Sequence, residues 1–269
     1  MTPTLVPHHP ARDWAEIQER MLVPLYEAVY ERLGVGAGSR VLGLGCGSGL
    51  ALLMAVARGA RVSGADRDHA RVELAGRRLP EGVTVTGEAP EAGPYDVITA
   101  FHATDGLLPE LTALLRTARR GTAVALAGWG PPERCATEPV LRIAARLTPR
   151  KPPVRTGPAP FPDRAPTVRT EPARLSDRAP TVRADLDRLV AAAGLRPVAS
   201  GWVACPFGYA DEAGAVRGLL STGVFDEALR ATDPSRVGKE IAAALAPYAR
   251  ADGTVWMPNT FRYVLTRVP

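Results

Sequence analysis

The sequence predicts an α/β fold with a mostly parallel sheet, and two observations support this. From about residue 40 to residue 128, short apolar runs bounded by turn residues alternate with amphipathic stretches, which is the pattern of successive βαβ units. Apolar residues make up 46% of the 269 residues, enough for one sizeable core. We therefore expect a single domain.

Seven strands are predicted from short apolar runs that end in turn residues. Five of them cover residues 41–44, 61–65, 83–86, 96–101 and 122–127. The last two cover residues 198–203 and 261–266. Between these two lie forty-odd residues of helical pattern, and their stripe of Val237, Ile241, Leu245 and Tyr248 indicates core packing.

The predicted helices fall between the strands. A leading helix covers residues 14–33 and ends near Gly34. The run at 50–58 is apolar nearly all round, as expected of a helix pressed against a sheet. Three further helices are predicted after the capping residue Asp68, at 107–119 and at 186–193.

A proline-rich segment interrupts this pattern. Residues 149–180 contain nine prolines, which neither a helix nor a central strand tolerates. The heptapeptide DRAPTVR occurs there twice, at 163–169 and at 177–183. We expect an extended, mobile loop, and an ordered flap over the functional site is the alternative.

The net charge of +5 is concentrated in one segment, because residues 142–188 hold eleven basic and five acidic side chains. That segment has one aromatic residue, Phe161, so it lacks the stacking surface that binds single-stranded nucleic acid. A solvated, arginine-rich loop without a nucleic-acid partner is predicted.

Cysteine usage and hydropathy point to the cytoplasm. Cys46, Cys135 and Cys205 form no CxxC pair, so neither a disulfide framework nor a metal site is indicated. No basic start with an apolar run, and no stretch long enough to cross a bilayer, is present. We expect no membrane partner, and either a monomer or a homodimer.

The run VLGLGCGSGL at 41–50 carries the clearest functional signal. A buried strand ends directly in Gly43, Gly45, Cys46, Gly47 and Gly49 before an apolar helix begins. Glycines let a ligand approach the backbone, and the amides at the helix start can meet a carboxylate or phosphate. The spacing is GxGxG, whereas a dinucleotide fingerprint would place a small residue where Leu50 stands.

Acidic residues follow the next two predicted strands. Asp66 ends the second strand, twenty-one residues after Gly45, where a carboxylate can accept both hydroxyls of a ribose. Gly87, Glu88 and Ala89 follow the third strand, and Glu88 could accept from the amino group of adenine. The alternatives are a helix-starting Asp66 and a merely solvated Glu88.

At these three places the chain resembles the class I S-adenosylmethionine-dependent methyltransferases, in their small-molecule branch. The resemblance implies a Rossmann-like, doubly wound sheet, with S-adenosylmethionine as cofactor and S-adenosylhomocysteine as product. It places Arg67, beside Asp66, and Ala100 and Phe101, at the end of the fourth strand, in the cofactor site. Where the family commonly has an acidic residue, this chain has Gly43.

This resemblance divides the domain of 1–269 into five parts. Residues 1–38 form an N-terminal helical lid, 39–146 a cofactor-binding core and 147–184 the proline- and arginine-rich loop. The final strands fall in 185–207 and 254–269, and 208–253 is a helical cap insertion between them.

The acceptor is predicted to be a small metabolite that is methylated on oxygen, nitrogen or carbon. The fourth strand ends in Thr99, Ala100, Phe101 and His102, without the proline pair of similar enzymes that methylate nucleic-acid amino groups. His102 is the candidate general base, since imidazole titrates near neutrality, and a loop hydrogen bond is its alternative role. Trp14, Trp202 and Trp256 are candidates to line the pocket.

Two other functions stay open at this point. A cyclase or other non-methylating enzyme could use the same cofactor on the same fold. A nicotinamide-dependent oxidoreductase is the more remote alternative, because the glycine spacing differs and no Tyr-x-x-x-Lys pair is present.

Overall fold

The computed structural model describes residues 9–90, 93, 95–148 and 185–269. The proline-rich segment and both DRAPTVR copies fall within 149–184, so the predictions for them lie outside the described residues.

The described residues form the predicted seven-stranded sheet and a separate two-stranded antiparallel sheet. The strands are β1 Arg40–Leu44, β2 Arg61–Ala65, β3 Thr84–Thr86, β4 Val97–Ala100, β5 Ala123–Trp129, β6 Arg196–Ala204, β7 Phe207–Tyr209, β8 Val255–Met257 and β9 Thr260–Arg267. The large sheet has the order β3-β2-β1-β4-β5-β9-β6. Only β9 runs antiparallel to its neighbours β5 and β6, so the carboxyl ends of β1 to β5 meet at one edge.

Helices cover both faces of the sheet, which confirms the doubly wound fold. They are α1 Pro10–Asp13, α2 Val23–Leu33, α3 Leu50–Ala57, α4 His69–Arg78, α5 Leu108–Leu115, α6 Glu138–Leu147, α7 Leu186–Ala192, α8 Glu212–Leu220, α9 Asp226–Ala231 and α10 Pro234–Leu245. Side chains of α2, α3 and α6 belong to one buried cluster, and those of α5 and α7 to the other. Successive strand residues such as Val41 and Leu42 alternate between the clusters, as the period of a strand requires.

The predicted single helix over 14–33 is wrong in its first part. Trp14–Gln18 forms a π-helical turn and Glu19–Leu22 a 3₁₀ turn, and a regular helix runs from Val23 to Leu33. Pro24 has no N–H and cannot continue the ladder of a preceding α-helix. The two irregular turns bury Glu19 together with Trp14 and Gln18, whereas in an unbroken α-helix Glu19 would lie about 140° around the axis from Trp14.

The insertion contains α8, α9 and α10, as the helical pattern predicts, and the antiparallel strands β7 and β8 pair at its two ends. Val237, Ile241 and Leu245 are buried, while Tyr248 is half-buried. The elements that were not predicted from the sequence include β7 and β8, of three residues each, and the helices α1 and α6.

Two paired glycines set how closely α3 approaches the sheet. Gly43 on β1 lies beside Gly64 on β2 in register. A β-carbon at Gly64 would stand 2.6 Å from Leu52 Cδ1 and 2.9 Å from Cys46 Sγ, and one at Gly43 would stand 3.1 Å from Leu52 Cδ2. Leu52, which is 1% exposed, therefore fills the groove that the two missing side chains leave.

We predict that Gly64→Ala lowers the free energy of unfolding by about 1–3 kcal/mol, because the added methyl overpacks the groove against Leu52. Urea denaturation measures this change. Gly76→Ala is the control: nothing lies within 4 Å of a β-carbon at this helical position in α4, so it should be neutral or stabilising by up to about 1 kcal/mol. Equal stability of Gly64→Ala and wild type would contradict this account of the packing.

Candidate functional site

The glycine loop, residues 45–49, joins β1 to α3 at the carboxyl edge of the sheet. Gly47 has a φ of +60°, in the left-handed region that side chains disfavour. A β-carbon at Gly47 would also stand 2.7 Å from Glu19 Oε1 and 2.7 Å from Trp14 Nε1. The loop thus needs glycine here both for its conformation and for the close approach of two other side chains.

Two successive amides of this loop donate to carboxylates. The Gly47 N–H donates to Asp66 Oδ2 over 2.8 Å, and the Ser48 N–H donates to Glu19 Oε1 over 3.0 Å. These amides precede α3, where the helix dipole favours negative charge. The loop amides therefore hold two carboxylates of the chain itself, and the role of this loop in binding a ligand stays a prediction.

Asp66 follows the last residue of β2 and is 9% exposed. Its Oδ1 accepts from the Asp68 N–H over 2.9 Å, while Oδ2 accepts from Gly47. Each carboxylate oxygen has a second lone pair. Both oxygens therefore remain able to accept from a ligand hydroxyl while they fix the loop.

The predicted residues after β2 and β3 meet through Glu110 of α5, which the sequence analysis did not select. The Ala89 N–H donates to Glu110 Oε1 over 3.1 Å, and Arg67 Nη2 lies 3.3 Å from Glu110 Oε2. Gly87 and the side chain of Glu88 are exposed. These residues lie at the outer end of the sheet edge. Among them, Arg67 follows Asp66 directly in the chain.

The N-terminal segment, residues 10–22, lies over the glycine loop. Trp14 is 2% exposed, and its indole Nε1 has no hydrogen-bond partner among the described residues. The Arg71 guanidinium lies 4.6 Å from the Trp14 ring, and the His102 ring meets it edge-on at 4.9 Å. Trp14 is thus placed at the site, as the sequence suggested.

The helical insertion holds this segment in position. The Tyr209 hydroxyl donates to Gln18 Oε1 over 2.8 Å, and Arg71 Nη2 donates to the Ser221 carbonyl over 2.7 Å. Burial holds the pKa of Tyr209 well above its ordinary value, so the phenol stays a donor. The N-terminal segment and the insertion therefore form one cover over the loop.

A small cavity of about 10 Å³ lies beneath this cover. Six of the predicted site residues line it, and they are Gly43, Gly45, Cys46, Gly47, Phe101 and His102. Trp14, Glu19, Tyr26 and Thr99 are among the other lining residues. The structure therefore brings the ends of β1 and β4 and the N-terminal segment together at one place.

Two predicted site residues lie in the packed interior instead. Ala100, at the end of β4, is 1% exposed and belongs to the cluster of the α5 face. A β-carbon at Gly49 would stand 3.1 Å from Ala75 Cβ and 3.2 Å from Leu79 Cδ1. Gly49 therefore allows α3 and α4 to pack closely.

His102 is a neutral imidazole in this structure. Burial, with a smaller contribution from the positive charge of Arg71, lowers its pKa to about 4. Its Nε2 atom is buried without a hydrogen-bond partner among the described residues. Burial likewise raises the pKa of the neighbouring Cys46 thiol to about 12, so Cys46 is not a nucleophile.

Glu19 and Arg78, like Glu110, are site residues that sequence reasoning missed. Glu19 is 1% exposed, and its Oε2 accepts from Ser48 Oγ and from Arg78 Nη1, each over 2.5 Å. The sequence contained a signal for Glu19. Gln18 and Glu19 fall within the apolar spacing of Trp14 and Leu22, and polar side chains that are buried in such a position need partners.

The suggestion that Trp202 and Trp256 line the pocket is wrong. Trp202 on β6 is 51% exposed with Arg262 over its ring, and Trp256 on β8 is 41% exposed with Arg250 over its ring. An arginine guanidinium group lies over each ring at the surface, and neither ring lines the cavity at the glycine loop.

No group of three or more His, Cys, Asp or Glu side chains in the described part of the chain could hold a metal ion. Among the described helices, none is long and apolar enough to cross a membrane.

Comparison with known proteins identifies the fold. Residues 14–126 match the family model described as a methyltransferase domain, and no protein of curated function matches the chain. This match confirms the resemblance to class I methyltransferases that the glycine loop, Asp66 and the residues after β3 indicate.

Three solved structures share the architecture at low sequence identity. A Bacillus halodurans protein described provisionally as a methyltransferase has a TM-score of 0.53 at 12% identity, over 91% of this chain and 98% of its own. The Bacillus subtilis protein YcgJ has a TM-score of 0.51 at 14% identity, over 90% and 97%. A protein of Anaeromyxobacter dehalogenans, described provisionally as a type II methyltransferase, has a TM-score of 0.51 at 21% identity, over 90% and 95%.

We predict that His102 makes the fold less stable in acid. Its folded-state pKa of about 4 lies below the ordinary value of 6.5, so the unfolded chain binds the proton first as the pH falls. Stability is unaffected by this group above pH 6.5 and is lost between pH 6.5 and 4. From pH 7 to pH 5 the loss is about 2 kcal/mol.

Urea denaturation of wild type and of His102→Asn at the two pH values isolates this term, because the carboxylates are common to both proteins. The wild type should lose about 2 kcal/mol more than the variant between pH 7 and pH 5. An equal loss in both proteins would show that His102 is hydrated and titrates normally.

Proposed function

We propose that this protein, whose residues 14–126 match a methyltransferase domain, binds S-adenosylmethionine and transfers its methyl group to a small-molecule acceptor. One observation carries the proposal. The amides of Gly47 and Ser48, at the carboxyl end of β1, already donate to carboxylates, and one of these carboxylates is Asp66 at the end of β2. A carboxylate-bearing, ribose-bearing ligand matches both features.

The residues present fit the cofactor along the sheet edge. Asp66 keeps acceptor capacity on both oxygens and would hold the ribose hydroxyls, and the cradle at Ser48 suits the carboxylate of the methionine end. Nε1 of Trp14, which has no partner among the described residues, is a further donor beside the loop. Gly87, Glu88 and Ala89 would adjoin the adenine, with Ala89 fixed by Glu110.

The chain's own contribution to transfer is positioning in an apolar site. Bound S-adenosylmethionine supplies an electrophilic methyl group on a sulfonium. Tyr26, Phe101 and Trp14 line the cavity with rings that exclude water, and Tyr26 lies 4.6 Å from Phe101 between ring centroids. Holding an acceptor against the methyl group in such a place contributes about 7–11 kcal/mol to catalysis.

His102 is the proposed proton acceptor, through its Nε2 atom, which has no partner in the described part of the chain. Because its pKa is about 4, the imidazole is neutral at physiological pH and can accept, although a base of low pKa is a weak one. This suits an acceptor that loses its proton during or after the transfer. We place the acceptor among small metabolites of specialised biosynthesis, methylated on oxygen, nitrogen or carbon.

The first test is calorimetric titration with S-adenosylhomocysteine and, separately, with NAD. We expect S-adenosylhomocysteine to bind and NAD not to bind. Asp66→Asn should weaken the binding of S-adenosylhomocysteine by about tenfold to hundredfold, because an amide cannot accept both ribose hydroxyls. Asp68→Asn is the matched control, since the Asp68 side chain caps α4 and asparagine caps equally well.

Binding of NAD without a response to S-adenosylhomocysteine would overturn the proposal in favour of an oxidoreductase. Transfer itself is tested with a labelled methyl donor and a panel of metabolites, where label should enter one of them. Conversion of a metabolite without consumption of the donor would indicate a non-methylating enzyme. A His102→Asn protein that transfers label at the wild-type rate would remove His102 from the mechanism.

A further inference from the structure

Glu19 provides a buried negative charge at the site. Among the described residues that line the cavity, it is the one that carries a carboxylate. It comes from the N-terminal segment, is 1% exposed, and receives donors from the Ser48 amide, the Ser48 hydroxyl and Arg78. An ionised side chain so buried is costly unless it is fully partnered or serves a ligand.

The strand that leads into the loop cannot supply such a charge. Gly43 has no side chain, and a β-carbon there would stand 3.1 Å from Leu52 Cδ2 and 3.3 Å from Cys46 Cβ. A side chain at Gly43 would therefore press on Leu52 of α3 and on Cys46 of the loop. The negative charge in the cavity comes instead from the N-terminal segment.

Glu19 and Arg78 together match an α-amino acid. Such a group carries an ammonium and a carboxylate a few bonds apart, and the site offers an anion and a cation side by side, with Arg78 Nη1 2.5 Å from Glu19 Oε2. The Ser48 amide and hydroxyl lie at the same point. A zwitterion inserted here would exchange one ion pair for two.

Trp14 supplies an independent sign of a missing ligand. Its indole N–H has no partner among the described residues although the side chain is 2% exposed. It faces the glycine loop, where Nε1 stands 2.7 Å from the β-carbon position of Gly47. A buried donor without an acceptor is destabilising, and an acceptor on a ligand above the loop would satisfy it.

We propose that Glu19 binds the ammonium group at the methionine end of the cofactor, while the Ser48 amide and Arg78 bind the cofactor's carboxylate. This inference rests on the proposed function and adds to it a specificity residue supplied by the N-terminal segment. The cavity of about 10 Å³ is smaller than the ligand, so residues 10–22 withdraw from the loop as it enters and then contribute Glu19 to the complex.

The test compares two ligands that differ at the methionine end. S-adenosylhomocysteine has the amino-acid group, and 5′-methylthioadenosine lacks it. Glu19→Gln should weaken the binding of S-adenosylhomocysteine by about tenfold to hundredfold, as expected for a lost charge-assisted hydrogen bond, and change the binding of 5′-methylthioadenosine by less than about twofold. Calorimetric titration gives both affinities, and thermal melting checks the fold.

Glu16→Gln is the matched control, because Glu16 belongs to the same segment but its side chain is 59% exposed and pairs with Arg12. It should leave both affinities unchanged. Glu19→Asp keeps the charge on a shorter stem and should lose part of the affinity for S-adenosylhomocysteine alone. This second variant gives the comparison if Glu19→Gln does not fold.

Three outcomes would overturn the inference. Equal weakening of both ligands would mean that Glu19 only holds the segment in place. Unchanged or tighter binding of S-adenosylhomocysteine would mean that Glu19 competes with the ligand for the cradle. Wild-type protein that binds neither ligand would overturn the proposed function itself, and with it this inference.

Discussion

The amides at the start of α3 require negatively charged partners, and much of the structure depends on this. The loop that exposes them contains Gly45, Gly47 and Gly49, all with positive φ, so its shape is set by the backbone and not by side chains. Asp66 from β2 and Glu19 from the N-terminal segment supply the two carboxylates. The carboxylate of a ligand could accept the same hydrogen bonds from these amides. The contacts that Asp66 and Glu19 make with the loop therefore indicate that the site favours carboxylates.

Packing and function are linked through the same few residues. Gly43 and Gly64 leave the groove that Leu52 fills, and this brings α3, with its free amides, close to the sheet edge. The same crowding disfavours a side chain at Gly43. The carboxylate in the cavity comes instead from a short irregular helical segment. In our proposal, ligand entry is coupled to movement of the cover that Trp14, Gln18 and the insertion form.

The sequence predicted the sheet well because its strands are short apolar runs between clear turn residues, and their order follows from the family resemblance. It predicted the loop and Asp66 because glycine spacing and a strand-terminal carboxylate are local signals. Glu19, Arg78 and Glu110 were not found, because their roles depend on contacts between residues far apart in the chain. Glu19 lies 29 positions from Ser48, Arg78 lies 30 positions from Ser48, and Glu110 lies 21 positions from Ala89. Pro24 could have indicated the break in the predicted helix over 14–33, but the apolar spacing around it favoured one continuous helix. The cytoplasmic location and the choice between monomer and homodimer stay predictions.

The crystal structure of the complex with S-adenosylhomocysteine is the most direct test of the account. We predict the ligand along the carboxyl ends of β1 and β2, its ribose hydroxyls on Asp66, its carboxylate at the Ser48 amide and its ammonium within hydrogen-bond distance of Glu19. Trp14 should have moved away from its position over Gly47. A ligand bound elsewhere, or at this edge with residues 10–22 unmoved and Glu19 still on Ser48, would contradict the account.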